Sequence, residues 1–382
     1  MKITSINTYP VSVPQTRPRF SAHELTTAFA VIITEVHTDE GLVGYGQIHG
    51  RPMQDICGWV ARFAEIVIGM DPLEHGHVWG RLFGLMSPRP GGVRGSLGLP
   101  PPLPRGKRAE ILAAIGGIDI ALWDIKGKAA GMPVYKLLGG TKRPVFTYAT
   151  GGHYVEGAAL CACAEELASF ISMGYRAVKL KVGGETMAEE IERVRATRNA
   201  IGKEPMLMLD MNAAYDLNDC INFAAAVEPY DITWLEEPLH WYLQPPDFAR
   251  LAAHTKIPLA HCERELTRFS VRDFITTGEV YFVQFDSTRH GGFTESLRVA
   301  TLAEQFGVRV APHQAPELHS HLCMAFPSVS FGVETNGGPE HDPLWYGLYK
   351  RRPLVKDGHV EVEDAPGFGL EIDWDFVRQH RA

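Results

Sequence analysis

From Pro144 onward the sequence repeats one unit, a short apolar stretch typical of a buried strand followed by a segment with the spacing of an amphipathic helix. Such alternation predicts parallel strands, because each helix returns the chain to the same edge of the sheet. Seven or eight units in about 200 residues predict a closed barrel. The predicted strands are Val145–Thr150, Ala177–Val182, Pro205–Met211, Ile232–Glu236, Pro258–Cys262, Tyr281–Phe285 and Val308–Pro312, with helices such as Ala188–Ile201 and Glu295–Phe306.

The first part of the chain has a different pattern. Residues 3–13, 28–38 and 42–46 alternate or are rich in β-branched side chains, which is typical of antiparallel strands. Residues 53–83 have the apolar spacing of helices. Between the first two strands, residues 15–24 are polar and aromatic, and we expect a loop too long for a tight hairpin.

These patterns predict three segments. We expect an α+β domain over residues 1–128, the barrel over residues 129–348, and a C-terminal segment, residues 349–382, that returns to the first domain. Residues 86–108 are rich in Pro, Gly and Arg, which predicts a mobile loop or an extended flap.

The composition argues against several functional classes. A formal net charge of -8 disfavours a nucleic-acid binder, which would carry a basic face. No apolar run approaches the ~18 residues that cross a bilayer, so we expect no membrane association. The six cysteines match no zinc-site or disulfide spacing and are expected to be reduced. We therefore predict a cytoplasmic protein.

Two lysines lie on one face of the second predicted barrel strand, which contains Lys179 and Lys181. Residues two apart in a strand point to the same side, so both ammonium groups face the carboxyl end of the barrel. Buried ammonium groups are costly unless anions or shifted pKa values compensate. A strand end exposed to solvent would also account for two lysines, so the residues that follow decide between these interpretations.

Three acids follow the next three strands. Asp210, Glu236 and Glu263 end their strands at intervals of 26 and 27 positions, about one strand–helix unit each. A parallel barrel brings such ends together, where unpaired carboxylates repel one another. A hard divalent cation removes that conflict, and an all-oxygen ligand set suits Mg²⁺. Each acid alone could instead cap a helix, but three in register favour a metal site.

The series continues with Asp286, after the strand at 281–285, and His313, after the strand at 308–312. Neighbouring strands bring these side chains within hydrogen-bond reach, which would orient the imidazole and raise its basicity. With Lys181 on a distant strand, the predicted site has one base on each side of a metal-bound substrate. We expect the pKa of Lys181 to be lowered by the positive charges of Lys179 and the metal ion.

These residues together resemble the enolase superfamily, mandelate racemase subgroup, over nearly the whole chain. The resemblance implies an α/β fold, a modified TIM barrel, (β/α)7β, with an α+β capping domain. It implies Mg²⁺ as the cofactor, held by Asp210, Glu236 and Glu263. The matching motifs are Lys179-x-Lys181, Asp210-x-Asn212, Glu236-Glu237-Pro238, Glu263, Asp286 followed by Gly291-Gly292, Ala311-Pro312-His313, the apolar helix ending at Lys128, and Pro366-Gly367-Phe368-Gly369.

The activity implied by the resemblance is removal of the proton α to a carboxylate, with Lys or His bases beside Mg²⁺ as in that superfamily. Mg²⁺ would stabilise the negative charge that develops on an already anionic substrate. The resemblance assigns catalysis to Lys181, His313 and Asp286, and substrate contacts to Lys179, Asn212 and Glu334. Family members are commonly homo-oligomers, so the same is expected here.

The sequence departs from the family pattern at two places. Thr288 stands at the second position after Asp286, which argues against the subgroup whose two bases are both lysines. His261, Cys262 and Arg264 surround the third predicted metal ligand in place of small residues and glycine, so we expect different packing behind the metal.

Several chemistries remain open for this pair of bases. A dehydratase would use His313 to protonate a departing 3-hydroxyl, whereas a racemase or epimerase would use the two bases on opposite faces of one carbon. A lactone cycloisomerase and an inert binding protein are further alternatives. The many polar groups that could cover the site favour a dehydratase acting on a small carboxylate, an acid sugar; they are Arg17, Arg19, His23, His49 and Arg51.

Overall fold

The computed structural model of the chain describes residues 1–86 and 103–382. Of the loop or flap predicted at residues 86–108, residues 87–102 lie outside the described residues, and Arg105–Lys107 form a 3-10 turn before the helix that begins at Arg108. In the described ranges, no helix is both long enough and apolar enough to cross a lipid bilayer. All six cysteines are described and carry free thiols, as predicted.

The N-terminal sheet is antiparallel, in the order β1 (Ile3–Phe20), β2 (Leu25–Thr38) and β3 (Val43–Ile48). The prediction of a long loop at residues 15–24 is wrong, because β1 continues to Phe20 past a register shift after Pro14. Only residues 21–24 form the turn. The polar character of this stretch comes from its partly exposed position along β2 and not from irregular structure.

In the described part of residues 49–144, the sheet is followed by the helices α1 (Met53–Val67), α2 (His75–Gly84), α3 (Arg108–Ala130) and α4 (Val134–Leu137). α3 lies directly against β3, since a Cβ atom at Gly46 would come 2.0 Å from the Gly117 carbonyl oxygen. On its other side, the Asp119 carboxylate accepts hydrogen bonds from Thr294 of the barrel. α3 is therefore buried on both sides, which explains its apolar sequence.

Within residues 145–335, all of which are described, eight parallel strands alternate with seven helices. The predicted (β/α)7β barrel is confirmed, and the two predicted helices differ from α6 and α10 only at their first turns. The elements are β4 (Val145–Gly151), α5 (Ala162–Ser172), β5 (Ala177–Lys181), α6 (Met187–Ile201), β6 (Met206–Asp210), α7 (Leu217–Val227), β7 (Ile232–Glu236), α8 (Pro245–Ala252), β8 (Leu259–His261), α9 (Arg268–Thr276), β9 (Val280–Val283), α10 (Gly292–Phe306), β10 (Arg309–Val310), α11 (Pro316–Ala325) and β11 (Val333–Thr335).

The sheet closes between its last two strands. β4 to β10 pair in sequence order, and β11 pairs with the free edge of β4. Val310 of β10 donates to the Val329 carbonyl at 2.9 Å and accepts from the Phe331 amide at 2.8 Å, just before β11 begins. The barrel interior is filled by side chains from its strands and the segment before β11, which are Phe146, Tyr148, Ala177, Met206, Met208, Trp234, Ala260, Phe282, Ala311 and Phe331.

The C-terminal segment contacts both parts of the molecule. α12 (Pro343–Leu348) directly precedes it, and its own elements are β12 (Tyr349–Arg351), β13 (Leu354–Lys356), β14 (His359–Glu361), β15 (Glu371–Ile372) and α13 (Trp374–Gln379). β14 pairs antiparallel with β4 of the barrel, whereas β12 pairs with β15 and packs with α13 on the N-terminal sheet. The division at residues 128 and 348 stays a prediction.

Candidate active site

The carboxyl ends of β5, β6 and β7 bring charged side chains side by side. Lys181 is the cross-strand partner of Asp210, which is the partner of Glu236. Glu263 follows the end of β8, the next strand. Carboxylate oxygens of Asp210, Glu236 and Glu263 lie within 4.8 Å of one another, and all three residues are buried. Buried acids this close need cationic partners.

Two lysines supply part of that positive charge. The Lys179 ammonium is fully buried and lies 2.5 Å from Glu236 Oε1, 2.9 Å from Glu334 Oε1 and 3.5 Å from Asp210 Oδ2. Lys181 donates a hydrogen bond to Asp210 Oδ2. Burial lowers the pKa of Lys181, but the carboxylates of Asp210, Glu263 and Glu236 together raise it more, so the net shift is upward. The predicted decrease included the positive charge of a bound metal ion and stays a prediction; without that charge, the neighbouring carboxylates outweigh Lys179.

Glu236 is also held by two residues that the sequence analysis missed. Its Oε2 accepts a hydrogen bond of 3.0 Å from the indole N–H of Trp234 and one of 2.6 Å from the Gln284 amide. Both donors stand two positions before a strand-end acid, so strand periodicity places them on the same inner face. A polar group inside an otherwise apolar strand was the signal that could have identified them.

On the opposite side of the site, β9 and β10 position an acid and an imidazole. The Asp286 carboxylate accepts a hydrogen bond of 3.0 Å from His313 Nδ1 through Oδ2. Its Oδ1 accepts from the amide and the hydroxyl of Thr288. Burial raises the pKa of Asp286, but the hydrogen bond from His313 and the charges around the carboxylate, including Arg289, together lower it more, so Asp286 is ionised. The proton of His313 is therefore on Nδ1, and Nε2 is left for chemistry.

Glu263 lies between this dyad and the other acids. Its Oε1 is 3.2 Å from Arg289 Nη1 and 3.5 Å from Arg264 Nε, and its Oε2 is 3.4 Å from His313 Nε2. These cations hold the pKa of Glu263 below its ordinary value despite burial, which alone would raise it. The carboxylate is therefore ionised and faces the cavity.

Lys181 and His313 both line a cavity of about 720 Å³ that opens between the barrel and the N-terminal sheet. Asn212 and Glu334, predicted to contact substrate, line the same cavity. Lys179, in contrast, is fully buried behind its carboxylate partners. The structure therefore brings the predicted bases to one cavity and places Lys179 inside the wall.

Three of the five predicted covering groups line this cavity: Arg19, His49 and Arg51. The other two do not support the prediction. Arg17 is exposed on β1, and His23 contacts the Ala213 carbonyl at 3.0 Å.

A second histidine of the cavity wall, the half-buried His153, was not predicted from the sequence. His153 follows β4 as His313 follows β10, so it continues the series of strand-end residues. Burial lowers the pKa of His153 to about 3 and that of His49 to about 4, which keeps both rings neutral.

The backbone takes the left-handed conformation just beyond four of the site's strand ends. The φ angles are 45° at Asn212, 40° at Glu237, 95° at Cys262 and 47° at Gln314. Side chains other than Gly and Asn rarely adopt this region, and its cost is about 1–3 kcal/mol where it occurs. Glu237, Cys262 and Gln314 therefore hold a strained backbone beside the acids and the imidazole of the site.

The acid cluster fits a hard divalent cation. All of its donor atoms are carboxylate oxygens, which suit Mg²⁺. Two buried acceptor oxygens beside it, Glu263 Oε2 and Asn212 Oδ1, have no hydrogen-bond donor among the described residues. Buried acceptors without donors are costly, and a cation or its bound water would satisfy them.

Comparison with known proteins agrees with this geometry. The family model described as enolase C-terminal domain-like matches residues 162–376, more than half of the chain. The chain belongs to the enolase superfamily. In this superfamily member, residues 4–139 match the mandelate racemase/muconate lactonizing enzyme N-terminal domain.

Relatives of this superfamily member align over most of their lengths. The D-galactarolactone cycloisomerase of Agrobacterium fabrum is 30% identical and covers 100% of this chain and 99% of that protein. The arabinonate dehydratase of Saccharolobus solfataricus is 29% identical, covering 90% and 88%. The L-talarate/galactarate dehydratase of Salmonella typhimurium, solved with Mg and L-lyxarohydroxamate, superposes with a TM-score of 0.86 at 28% identity, covering 100% and 93%.

Proposed function

We propose that this enolase-superfamily protein is a magnesium-dependent dehydratase of acid sugars. It would remove the proton α to a carboxylate and expel the 3-hydroxyl as water, which yields a 2-keto-3-deoxy acid. The observation that carries the proposal is that Lys181 and His313, the latter hydrogen-bonded to Asp286, line one cavity beside a cluster of three carboxylates. Relatives named as arabinonate and galactarate dehydratases support the substrate class.

We propose that Asp210, Glu236 and Glu263 hold Mg²⁺. Bound there, the ion would supply positive charge that stabilises the negative charge developing on the substrate carboxylate. Gln284 and Trp234 fix Glu236 from behind, and Arg289 fixes Glu263, so the chain orients the oxygens that it offers.

Lys181 and His313 then divide the proton transfers. As a free amine, Lys181 Nζ takes the α-proton; it must first lose its own proton and its contact with Asp210. As an imidazolium, His313 gives its Nε2 proton to the 3-hydroxyl, which leaves as water. Asp286 accepts the Nδ1 hydrogen bond throughout and stabilises the charged ring. The resulting enol gains a proton at C3 and loses its hydroxyl proton, which gives the keto acid.

Asn212 and Glu334 would contact the substrate from the cavity wall. For Lys179, the structure favours an electrostatic contribution, because its ammonium is enclosed by Glu236, Glu334 and Asp210. A direct contact of Lys179 with the substrate carboxylate stays a prediction.

A second candidate is an isomerase, favoured by the cycloisomerase relative that aligns with the whole chain. A racemase, epimerase or cycloisomerase would use the same α-proton step without losing a 3-hydroxyl. Stereochemical scrambling or lactone opening, without formation of a keto acid, is the outcome that distinguishes it.

The decisive experiment is a screen of aldonic and aldaric acids with Mg²⁺. We expect at least one acid to give a 2-keto-3-deoxy product, detected by semicarbazide derivatisation and mass spectrometry. The same reactions in D₂O report α-proton exchange by NMR. Absence of both product and exchange with every acid would contradict the proposed function.

Three further properties are proposals. The six free thiols support a cytoplasmic location, where cysteines stay reduced. The three-segment division at residues 128 and 348, and assembly into a homo-oligomer, follow from the sequence analysis and stay predictions.

A further inference from the structure

The end of β1 is attached to the barrel beside the cavity. Phe20 and Tyr154 exchange two backbone hydrogen bonds, of 2.8 and 2.9 Å. Alternate residues of paired extended segments point to opposite faces, so Arg19 and His153 share the face that Phe20 and Tyr154 do not occupy. Both Arg19 and His153 line the cavity that also contains Lys181 and His313.

Arg19 has no anionic partner in the part of the chain that the structure describes. No Asp or Glu among the described residues lies within ion-pair distance of its guanidinium, although the side chain is only partly exposed. Residues 87–102, outside the described ranges, contain neither Asp nor Glu, so they offer no carboxylate either. A half-buried guanidinium ordinarily pairs with a carboxylate or phosphate in proteins.

Other acids in the cavity wall have donors of their own. Asp342 is the one whose pKa responds to the charge of Arg19; burial raises that pKa and Arg19 partly offsets the increase. The pairs are Glu24 with Arg264, Glu110 with Lys107, Glu317 with Gln47 and Trp345, Glu334 with Lys179, and Asp342 with Asn336 and the Trp345 amide. Among the described residues, each acid of the wall is therefore bonded to another donor, and none forms an ion pair with Arg19.

His153 lies close to both Arg19 and the proposed base Lys181, and its ring is within electrostatic range of both. Its Nδ1 is buried and has no hydrogen-bond partner among the described residues. A neutral imidazole in this position can bond to a hydroxyl group of a chain that extends from Lys181 towards Arg19.

We propose that Arg19 binds a second carboxylate, at the end of the substrate remote from the reacting carbon. The preferred substrate is then a dicarboxylic acid sugar, an aldarate, and an aldonate with a terminal hydroxyl is a poorer one. This inference rests on the proposed function and narrows its substrate class. The planar guanidinium suits a carboxylate because two parallel N–H donors match its two oxygens. Arg51 is a weaker candidate, since it is exposed and already donates to the Ala28 carbonyl.

The test uses matched pairs of acids, such as galactarate and D-galactonate, which differ only at the terminal carbon. We expect the wild-type protein with Mg²⁺ to have the higher kcat/KM for the aldarate. Arg19→Met should lower kcat/KM for the aldarate by about 10- to 100-fold and change that for the aldonate by less than about threefold. The loss should appear mainly in KM, because Arg19 is remote from the reacting carbon. Arg19→Lys should restore part of it.

Arg17→Met is the matched control, since Arg17 is on the same strand but exposed, and it should behave as wild type. If Arg19→Met lost kcat/KM equally for both acids, or if the wild type preferred the aldonate, the inference would be overturned. Equilibrium binding of the aldarate and the aldonate to the Lys181→Ala variant tests the second carboxylate site separately from the proposed function. Tighter aldarate binding that depends on Arg19, without turnover or α-proton exchange in the wild type, would contradict the dehydratase and retain the second carboxylate site.

Discussion

The two flanks of the cavity hold their bases in different ways. On the amine flank, which we define as Lys179, Lys181, Asp210 and Glu236, each ammonium contacts a carboxylate. On the imidazole flank, Asp286 and His313, the acid binds one ring nitrogen and leaves the other facing the cavity. The imidazole is thus already oriented for proton transfer, whereas the amine must exchange its partner. Proton transfer on the amine flank therefore requires Lys181 to lose its own proton first. On the imidazole flank it requires only the ring orientation that Asp286 already fixes.

The largest expected effect comes from the acid cluster, which joins both flanks. Asp210→Asn on the amine flank and Glu263→Gln beside the imidazole should each lower kcat by at least about 10³-fold, because each removes one charged ligand of a shared ion. Each should also abolish the increase in Tm that Mg²⁺ produces in the wild type, measured by differential scanning fluorimetry. Glu265→Gln, two positions along and lining a separate cavity, is the control. If only one of the two variants loses the Mg²⁺-dependent Tm shift, the ion is not shared between the flanks.

The next effect separates the roles of the two bases. Lys181→Ala and His313→Asn should each reduce dehydration by about 10²- to 10⁴-fold, the usual contribution of a positioned acid or base. Only Lys181→Ala should lose α-proton exchange in D₂O, since the amine takes that proton while His313 serves the leaving hydroxyl. Circular dichroism checks that both variants fold. Exchange that persists in Lys181→Ala and disappears in His313→Asn would reverse the assignment.

The smallest effect concerns stability at low pH. The pKa of Asp286 lies below its value of about 3.9 in the unfolded chain, so its ionised form stabilises the fold above that pH, and this is lost as the pH falls towards the folded pKa. Below about pH 4, the unfolding free energy of the wild type should fall more steeply than that of Asp286→Asn, by up to about 1.4 kcal/mol per pH unit. Urea unfolding between pH 5 and pH 3 measures both slopes. Asp357→Asn, at an exposed site, should keep the wild-type slope; equal slopes for Asp286→Asn would show that this acid is not paired.

Strand-end positions were predictable because barrel topology is a local, repeated pattern. Asp210, Glu236, Asp286 and His313 could be placed at one end of the barrel from spacing alone. The contact between Lys181 and Asp210 could not, because which of several nearby charges dominates an amine depends on distances that spacing does not contain. Spacing therefore did not indicate that neighbouring carboxylates raise the pKa of Lys181.

The N-terminal hairpin was harder to predict than the barrel. Polar residues 15–20 have the composition of a loop, but they continue β1, and Arg19 and Phe20 at its end pair with β2. Arg19 reaches the cavity through a bridge to Tyr154, a partner 134 positions away that no local pattern indicates. The residues that cover the cavity were therefore only partly identified from the sequence. Arg17 and His23 were included but do not line it, and His153 lines it but was overlooked.

The bridge between Phe20 and Tyr154 has a consequence for how new specificities could arise in this chain. It is made by backbone groups alone, so it does not depend on which side chain stands at position 19. Residues 15–24 could therefore be exchanged as a cassette for the equivalent hairpin of a relative, while the barrel keeps its proton-transfer residues unchanged. Substrate choice and reaction chemistry could then diversify independently, by mutation in separate stretches of the gene.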